Sequence, residues 1–202
     1  MTVVRGFIQL AKMSLDDRGK YYMNTAVDEL DRAELIISDF LNYAKPREAR
    51  IQAIDLTLLL QNMHTLMSTM STMRGILMHT FIDEGLSITG DQVKLKQVII
   101  NLIKNAIEAT PNGGSVEIRA YRQEEGMHVE IADTGAGMTE EQLGKLGSVS
   151  HTTKASGSGV GLMDAYQIIH GMGGRLSFES AVGVGTKATI RLPAGEKQTP
   201  KS

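Results

Sequence analysis

The chain of 202 residues contains no cysteine, which excludes disulfides and thiolate metal sites and fits a reducing compartment. Neither sign of charge prevails. Twenty-one Lys and Arg stand against 23 Asp and Glu, a formal net charge of −2, so composition gives no support to the broad basic face of a nucleic-acid binder. No apolar run approaches the ~18 residues of a membrane span, and no signal peptide is visible. A cytoplasmic portion without membrane contact of its own is expected, from a parent protein free to be membrane-anchored. Prolines are few: Pro46, Pro111, Pro193 and Pro200. Each follows a periodic segment, where proline stops regular structure instead of interrupting it. They divide the chain into a hairpin (1–46), a sandwich (47–194) and a tail (195–202).

What is present begins with helical periodicity. Val4, Ile8 and Ala11 predict a helix over 1–14, and Leu15-Asp16-Asp17-Arg18-Gly19 a polar turn. A second helix is expected from about Lys20 to Ala44, where Met23, Ala26, Leu30, Ala33, Ile37, Phe40 and Ala44 step by three and four. Two helices bury such a seam poorly, whereas two copies form a four-helix bundle. A homodimer through residues 1–46 is therefore expected, in preference to packing of the seam on the following domain.

Beyond the linker Pro46–Arg50 the pattern mixes strands and helices. Ile51–Ile54 reads as a strand, and Asp55 as the N-cap of a helix to about Arg74. Its stripe Leu59, Met63, Met67, Met70 has the spacing of one buried face. Ile76–Ile82 reads as a strand. Asp91 caps a helix ending near Thr110-Pro111, with Leu95, Val98, Ile99, Leu102, Ile103 and Ile107 toward a core. Ser115–Tyr121 and Met127–Ala132 predict a hairpin, and Thr139-Glu140-Glu141-Gln142 a capping box. A further helix reaches about His170, followed by strands Arg175–Glu179 and Thr186–Leu192. The expected fold class is α+β: a helical hairpin followed by an α/β sandwich with three helices on one face of a mixed sheet.

Four stretches carry chemistry. Asp133-Thr134-Gly135-Ala136-Gly137-Met138 puts a carboxylate at the mouth of a strand, followed by glycines. Asp133 can accept from an exocyclic amine, and Gly135 and Gly137 let backbone approach a flat ligand edge. Alone, D-x-G-x-G is mostly turn chemistry. Asn101 and Asn105 lie four apart and share one side of their helix. An amide oxygen there suits Mg²⁺ already carrying phosphate oxygens, although by themselves the two read equally as surface or capping residues. Gly157-Ser158-Gly159-Val160-Gly161-Leu162 opens a helix whose N–H groups suit an anion. It is neither a Walker loop nor the Rossmann fingerprint. Gly183-Val184-Gly185-Thr186 is the fourth.

In order and spacing these stretches resemble the N, G1, G2 and G3 boxes of the sensor histidine kinase ATP-binding domain, over roughly residues 47–193. The resemblance implies a Bergerat-type sandwich that binds ATP or ADP with Mg²⁺. It implies nucleotide contacts from Asn101, Asn105, Ala109, Asp133, Gly135, Gly137, Met138, Thr153, Lys154, Gly157, Gly159, Val160, Gly161, Leu162 and Thr186, with Asn105 as metal ligand and Met138 packed against the base. It further implies transfer of the γ-phosphoryl group to a histidine and then to an aspartate of a response regulator or phosphorelay receiver. An inhibitor protein on the hairpin is a further partner it allows. The start, Thr2 to Leu10, looks like the stretch just after a His-Glu-x-Arg-Asn-Pro-Leu box, and sporulation-type kinases of Gram-positive bacteria are the nearest subgroup. The acceptor histidine then falls seven positions before Thr2, upstream of Met1, so this chain should contain no phosphoacceptor and should not phosphorylate itself.

Two departures and two rivals accompany the resemblance. Gly144–Gly157 reads as a lid, yet Val149-Ser150-His151 lacks the aromatic pair usual before Thr152-Thr153-Lys154. Glu108 stands where many members carry lysine, leaving Lys104 or Lys154 to compensate. His64, His79, His128, His151 and His170 have no metal-like surroundings in sequence and read as structural or solvated. The rivals are a scaffold that kept the fold without the nucleotide, and an ATPase or protein-serine kinase on the same fold.

Overall fold

The computed structural model describes residues 50–124, 126–146 and 160–194, together with Gly19 and Met23, which are helical. The hairpin and tail expectations otherwise lie outside the described residues. Gly19, expected to end a turn, is already helical, a shift of one residue at an element boundary.

The order is β1 (Ile51–Asp55), α1 (Leu56–Met73), β2 (Leu77–Ile82), β3 (Ser87–Asp91), α2 (Gln92–Ala109), β4 (Ser115–Gln123), β5 (Gly126–Asp133), α3 (Glu140–Gly144), α4 (Val160–Gly171), β6 (Arg175–Ala181) and β7 (Gly185–Leu192). The main sheet runs β2-β4-β5-β7-β6, and β1 pairs with β3 in a separate two-stranded sheet. Only the β2–β4 pair is parallel in the main sheet; its other pairs are antiparallel, so the sheet is mixed as expected.

Side-chain caps start the helices. The Asp55 carboxylate accepts from Leu58 N at 2.8 Å, and Asp91 Oδ1 accepts from Val93 N and Lys94 N at 3.0 and 3.1 Å. Such caps stabilise a helix by roughly 1 kcal/mol. The predicted capping box forms at α3, Thr139 Oγ1 accepting from Gln142 N and Gln142 Oε1 from Thr139 N.

The core lies between the helices and one face of the main sheet. Leu59, Leu60, Met63 and Met67 of α1 and the full predicted stripe of α2, Leu95 to Ile107, are buried there. They meet Val116, Ile118 and Ala120 of β4, Val129 and Ile131 of β5, and Ala188, Ile190 and Leu192 of β7. Each large side chain contributes at most about 1.5–3 kcal/mol by leaving water. The opposite face of the sheet carries polar pairs. Tyr121 donates to Glu130 Oε1 at 2.9 Å, Lys187 pairs with Glu179 at 3.0 Å, and Arg119 bonds Glu117.

Candidate functional site

Helix α2 buries its stripe in the core and so turns Asn101 and Asn105 to its flank, both half-buried. The first turn of α4 crosses directly over Asn101. A Cβ added to Gly161 would lie 3.1 Å from both amide heavy atoms of Asn101, so glycine is what permits this close passage. Asn101 Nδ2 is buried there without a hydrogen-bond partner. A buried amide donor left unpaired costs about 1–3 kcal/mol, and an acceptor-rich group such as a polyphosphate would satisfy it. Among the described residues no group of three His, Cys, Asp or Glu could hold a metal. A cation at Asn105 must therefore take most of its ligands from water and from a bound anion, which is how Mg²⁺ commonly sits with phosphates. The unpaired amide of Asn101 fits the phosphates of ATP.

One turn further, Lys104 Nζ lies 3.8 Å from Glu108. Of the two lysines expected to compensate for Glu108, Lys104 therefore pairs with it along the helix, and both side chains are partly solvated, so the pair adds only about 0.3–0.5 kcal/mol.

Asp133 ends β5, opposite Val116 on β4 and Thr186 on β7. Its Oδ1 accepts from Gly135 N at 2.8 Å and from Thr186 N at 3.2 Å. Two backbone donors on one oxygen fix the plane of the carboxylate. The loop that follows is held on three sides. Ala136 N donates to Ala109 O at 3.3 Å, Gly183 N to Ala136 O at 2.8 Å, and Met138 N to Ser180 Oγ at 2.9 Å.

The glycines of this loop permit a close approach within the protein itself. A Cβ on Gly135 would lie 2.5 Å from Ala109 O, and one on Gly137 (φ +66°) would collide with Ala181 O. What comes close is the protein's own backbone, from α2 on one side and the β6–β7 turn on the other. Gly185 (φ +124°) likewise has no room for a Cβ, because Asp133 O occupies the place. A concavity of about 420 Å³ opens at this end of the sheet, with Asp133, Ser180, Val184, Thr186 and Lys187 in its wall.

The structure thus brings Ala109, Asp133, Gly135, Gly137, Met138 and Thr186 together at one end of the sheet, and Asn101 beside Gly161. Val160 opens α4, and Leu162 packs on the core. Thr153, Lys154, Gly157 and Gly159, the lid and His151 lie outside the described residues. Of the other histidines, His128 is buried and stacked on Tyr121 with centroids 5.3 Å apart, and His170 ends α4 exposed. Sequence reading passed over Ser180, which the fold places between Met138 and Thr186. A lone serine in a strand carries no local signal of such a role.

Residues 90–196 match the family described as histidine kinase-, DNA gyrase B-, and HSP90-like ATPase. Sporulation kinase B of Bacillus subtilis (strain 168) is 38% identical over 203 residues, covering 96% of this chain and 46% of that protein. Sporulation kinase A of the same organism is 36% identical, covering 96% of this chain and 32% of that protein. The chain thus spans a third to a half of the length of these relatives. Among solved structures, histidine kinase ThkA in complex with response regulator protein TrrA superposes with a TM-score of 0.75 at 28% identity, covering 98% of this chain and 58% of that one. The nucleotide-free catalytic domain of ThkA gives a TM-score of 0.67 at 28% identity, over 72% of this chain and 97% of that one.

Proposed function

Because the chain belongs to the histidine kinase-, DNA gyrase B-, and HSP90-like ATPase family, we propose that it is the ATP-binding catalytic portion of a sensor histidine kinase. The observation that carries this reading is the carboxylate of Asp133, fixed by two backbone donors in the wall of a concavity. Asp133 accepts from the adenine amine, and Met138, on the same pinned loop, packs against the base. The phosphates extend toward the first turn of α4. Asn101 supplies its unpaired N–H there, and Asn105 holds Mg²⁺. The ion, when bound, neutralises charge developing on the polyphosphate.

In the reaction a histidine nitrogen bonds to the γ-phosphorus as the bond from that phosphorus to the β–γ bridging oxygen breaks, leaving ADP. The phosphoryl group then passes to an aspartate of a response regulator. Positioning does most of the work, since the chemistry needs an in-line approach and little else from the protein. The similarity to sporulation kinases and to a kinase solved with its regulator supports this branch over an ATPase or a protein-serine kinase. Among the described residues no helix is long and apolar enough to cross a membrane, and a cytoplasmic location belongs to the proposal.

The test combines binding with transfer. Titrated by calorimetry, wild type should bind ATP more tightly with Mg²⁺ than with chelator, and Asn105→Ala should lose that difference. An equal response of both proteins to chelation would remove Asn105 as the ligand. Supplied with the histidine-bearing helix of a sensor kinase, the chain should transfer acid-labile label to it from γ-labelled ATP and on to a receiver aspartate. Label found only as free phosphate, or acid-stable on serine, would favour the rivals.

The homodimer through residues 1–46 is part of the same proposal, resting on the seam of the second helix. Leu30→Asp or Ile37→Asp would bury an unpaired charge in that seam. Light scattering should then report monomers for either variant and a dimer for wild type. A monomeric wild type at micromolar concentration would refute the seam as an interface.

A further inference from the structure

Strand β2 is outermost in the main sheet, and among the described residues no strand pairs with its free side. Leu77 N donates to Gly114 O at 3.0 Å and Asp83 N to Ala120 O at 2.9 Å, so the odd-numbered residues bond toward β4. Met78, Thr80 and Ile82 therefore turn their N–H and C=O groups to the open edge. The side chains of Met78 and Ile82 pack on the core. Those of Leu77, His79 and Phe81 face the other way and are exposed, Leu77 by 62% and Phe81 by 58%.

Sheets commonly blunt such edges with charge. Strand β6, at the opposite edge, carries exposed Arg175 and Glu179. Strand β2, Leu-Met-His-Thr-Phe-Ile, holds no Asp, Glu, Lys or Arg, and neither does α1, which packs against it. An edge left apolar and uncharged is a template for another strand.

We propose that β2 is a self-association edge, pairing antiparallel with β2 of a second copy about a two-fold axis at His79. In that register Leu77 meets the partner's Phe81, and Phe81 the partner's Leu77. Odd-numbered residues form the non-hydrogen-bonded pairs, where Cα atoms are about 4.5 Å apart and side chains approach closest. An aromatic residue set against an aliphatic one stabilises such a pair. The same register carries Arg74, just before the strand, toward the partner's Asp83 and Glu84 just after it, and all three are exposed. Arg74 uses one donor on Ile107 O, and its guanidinium has others. The two ends are thus complementary in charge. On the axis a charged residue would meet its own copy, and there the strand has only Met78, His79 and Thr80. Six residues per copy fall well short of the roughly 20–30 a side of a standard interface. The association is therefore weak, needs concentrations well above micromolar, and adds to the hairpin dimer instead of replacing it. It does not depend on nucleotide binding.

The chain holds no cysteine, so one introduced thiol reports the register in the full chain. His79→Cys should form a disulfide between copies under mild oxidation, because Cα atoms about 4.5 Å apart lie within the span of that bond. Phe81→Cys should not, since it stands four residues from its own copy along the ladder, about 13 Å. Val184→Cys, exposed on the β6–β7 turn, controls for random collision. Adding Phe81→Lys or Thr80→Pro to His79→Cys should abolish the link. The lysine sets a charge against the partner's Leu77, and the proline removes an N–H that points only to the open edge. Should the proline variant fail to fold, the lysine variant decides, because Phe81 is exposed. In sedimentation the mass of wild type should rise with concentration, and Phe81→Lys should abolish the rise. A link in His79→Cys no faster than in Val184→Cys, or one that survives Phe81→Lys, overturns the edge as an interface. A link in Phe81→Cys but not in His79→Cys overturns the register and the axis at His79.

Discussion

Asp133→Asn is expected to raise the Kd for ATP by about ten- to a hundredfold, since a hydrogen bond to a charged group is worth roughly 1.5–3 kcal/mol. The asparagine variant isolates the effect better than alanine does. Its amide oxygen can still accept from Gly135 N and Thr186 N, which now bond Asp133 Oδ1. Its amide nitrogen would then turn a donor toward the amine of adenine, itself a donor. Thermal stability should therefore fall less in Asp133→Asn than in Asp133→Ala, while affinity falls in both. Asp133→Ala should lose at least as much affinity, and some stability as well, because two backbone donors lose their acceptor. Calorimetry with ATP and GTP measures both variants. Unchanged ATP affinity in Asp133→Asn, or equal affinity of wild type for ATP and GTP, would exclude Asp133 as the residue that selects the base.

The second large effect is expected at Gly137, and Gly85 supplies its control. Both have φ of +66°, but nothing lies within 4 Å of a Cβ on Gly85, whereas one on Gly137 meets the carbonyl of Ala181. Placing alanine in the left-handed region costs about 1–2 kcal/mol, so Gly85→Ala should lose no more than that. Gly137→Ala adds a backbone collision that can be relieved only by moving the loop away from the β6–β7 turn. A total of about 3 kcal/mol or more follows, which for a domain of this size lowers Tm by roughly 6–12 °C. The same movement shifts Met138, so ATP affinity should fall with it. Scanning calorimetry decides the first part and titration the second. Equal Tm shifts for the two variants would mean that the loop is not clamped against the turn.

Legibility in the sequence followed the length of each signal. The 18-residue helices α1 and α2 repeat their apolar pattern over several turns, and both were read with their caps and buried faces correct. Strand β3 was missed because Ser87-Ile88-Thr89-Gly90-Asp91 holds a single large apolar residue, too little for alternation to register. It exists because Ile88 pairs with Ile54 of β1 and because Gly90 leaves room for the Met172 side chain. Both partners are remote in sequence, so no local window contains the reason. The surroundings of Gly135 and Gly137 were hidden on similar grounds. Their residue type announced a close approach, but what approaches, the carbonyls of Ala109 and Ala181, is set by chain segments 26 and 44 residues away.

By itself, the sequence determined the two long helices with their caps and buried faces, and every strand but β3. Those properties depend on periodicity, capping and backbone freedom, which are local and written in residue order. Tertiary structure alone decided that Asp133 is held by Thr186, that Gly161 passes over Asn101, and that Ser180 stands beside Met138. Each of these is a distance between segments far apart in the chain, set by strand register and helix packing. A hydrogen bond reaches about 3 Å and tolerates little error, whereas sequence pattern locates a residue only to a face of an element.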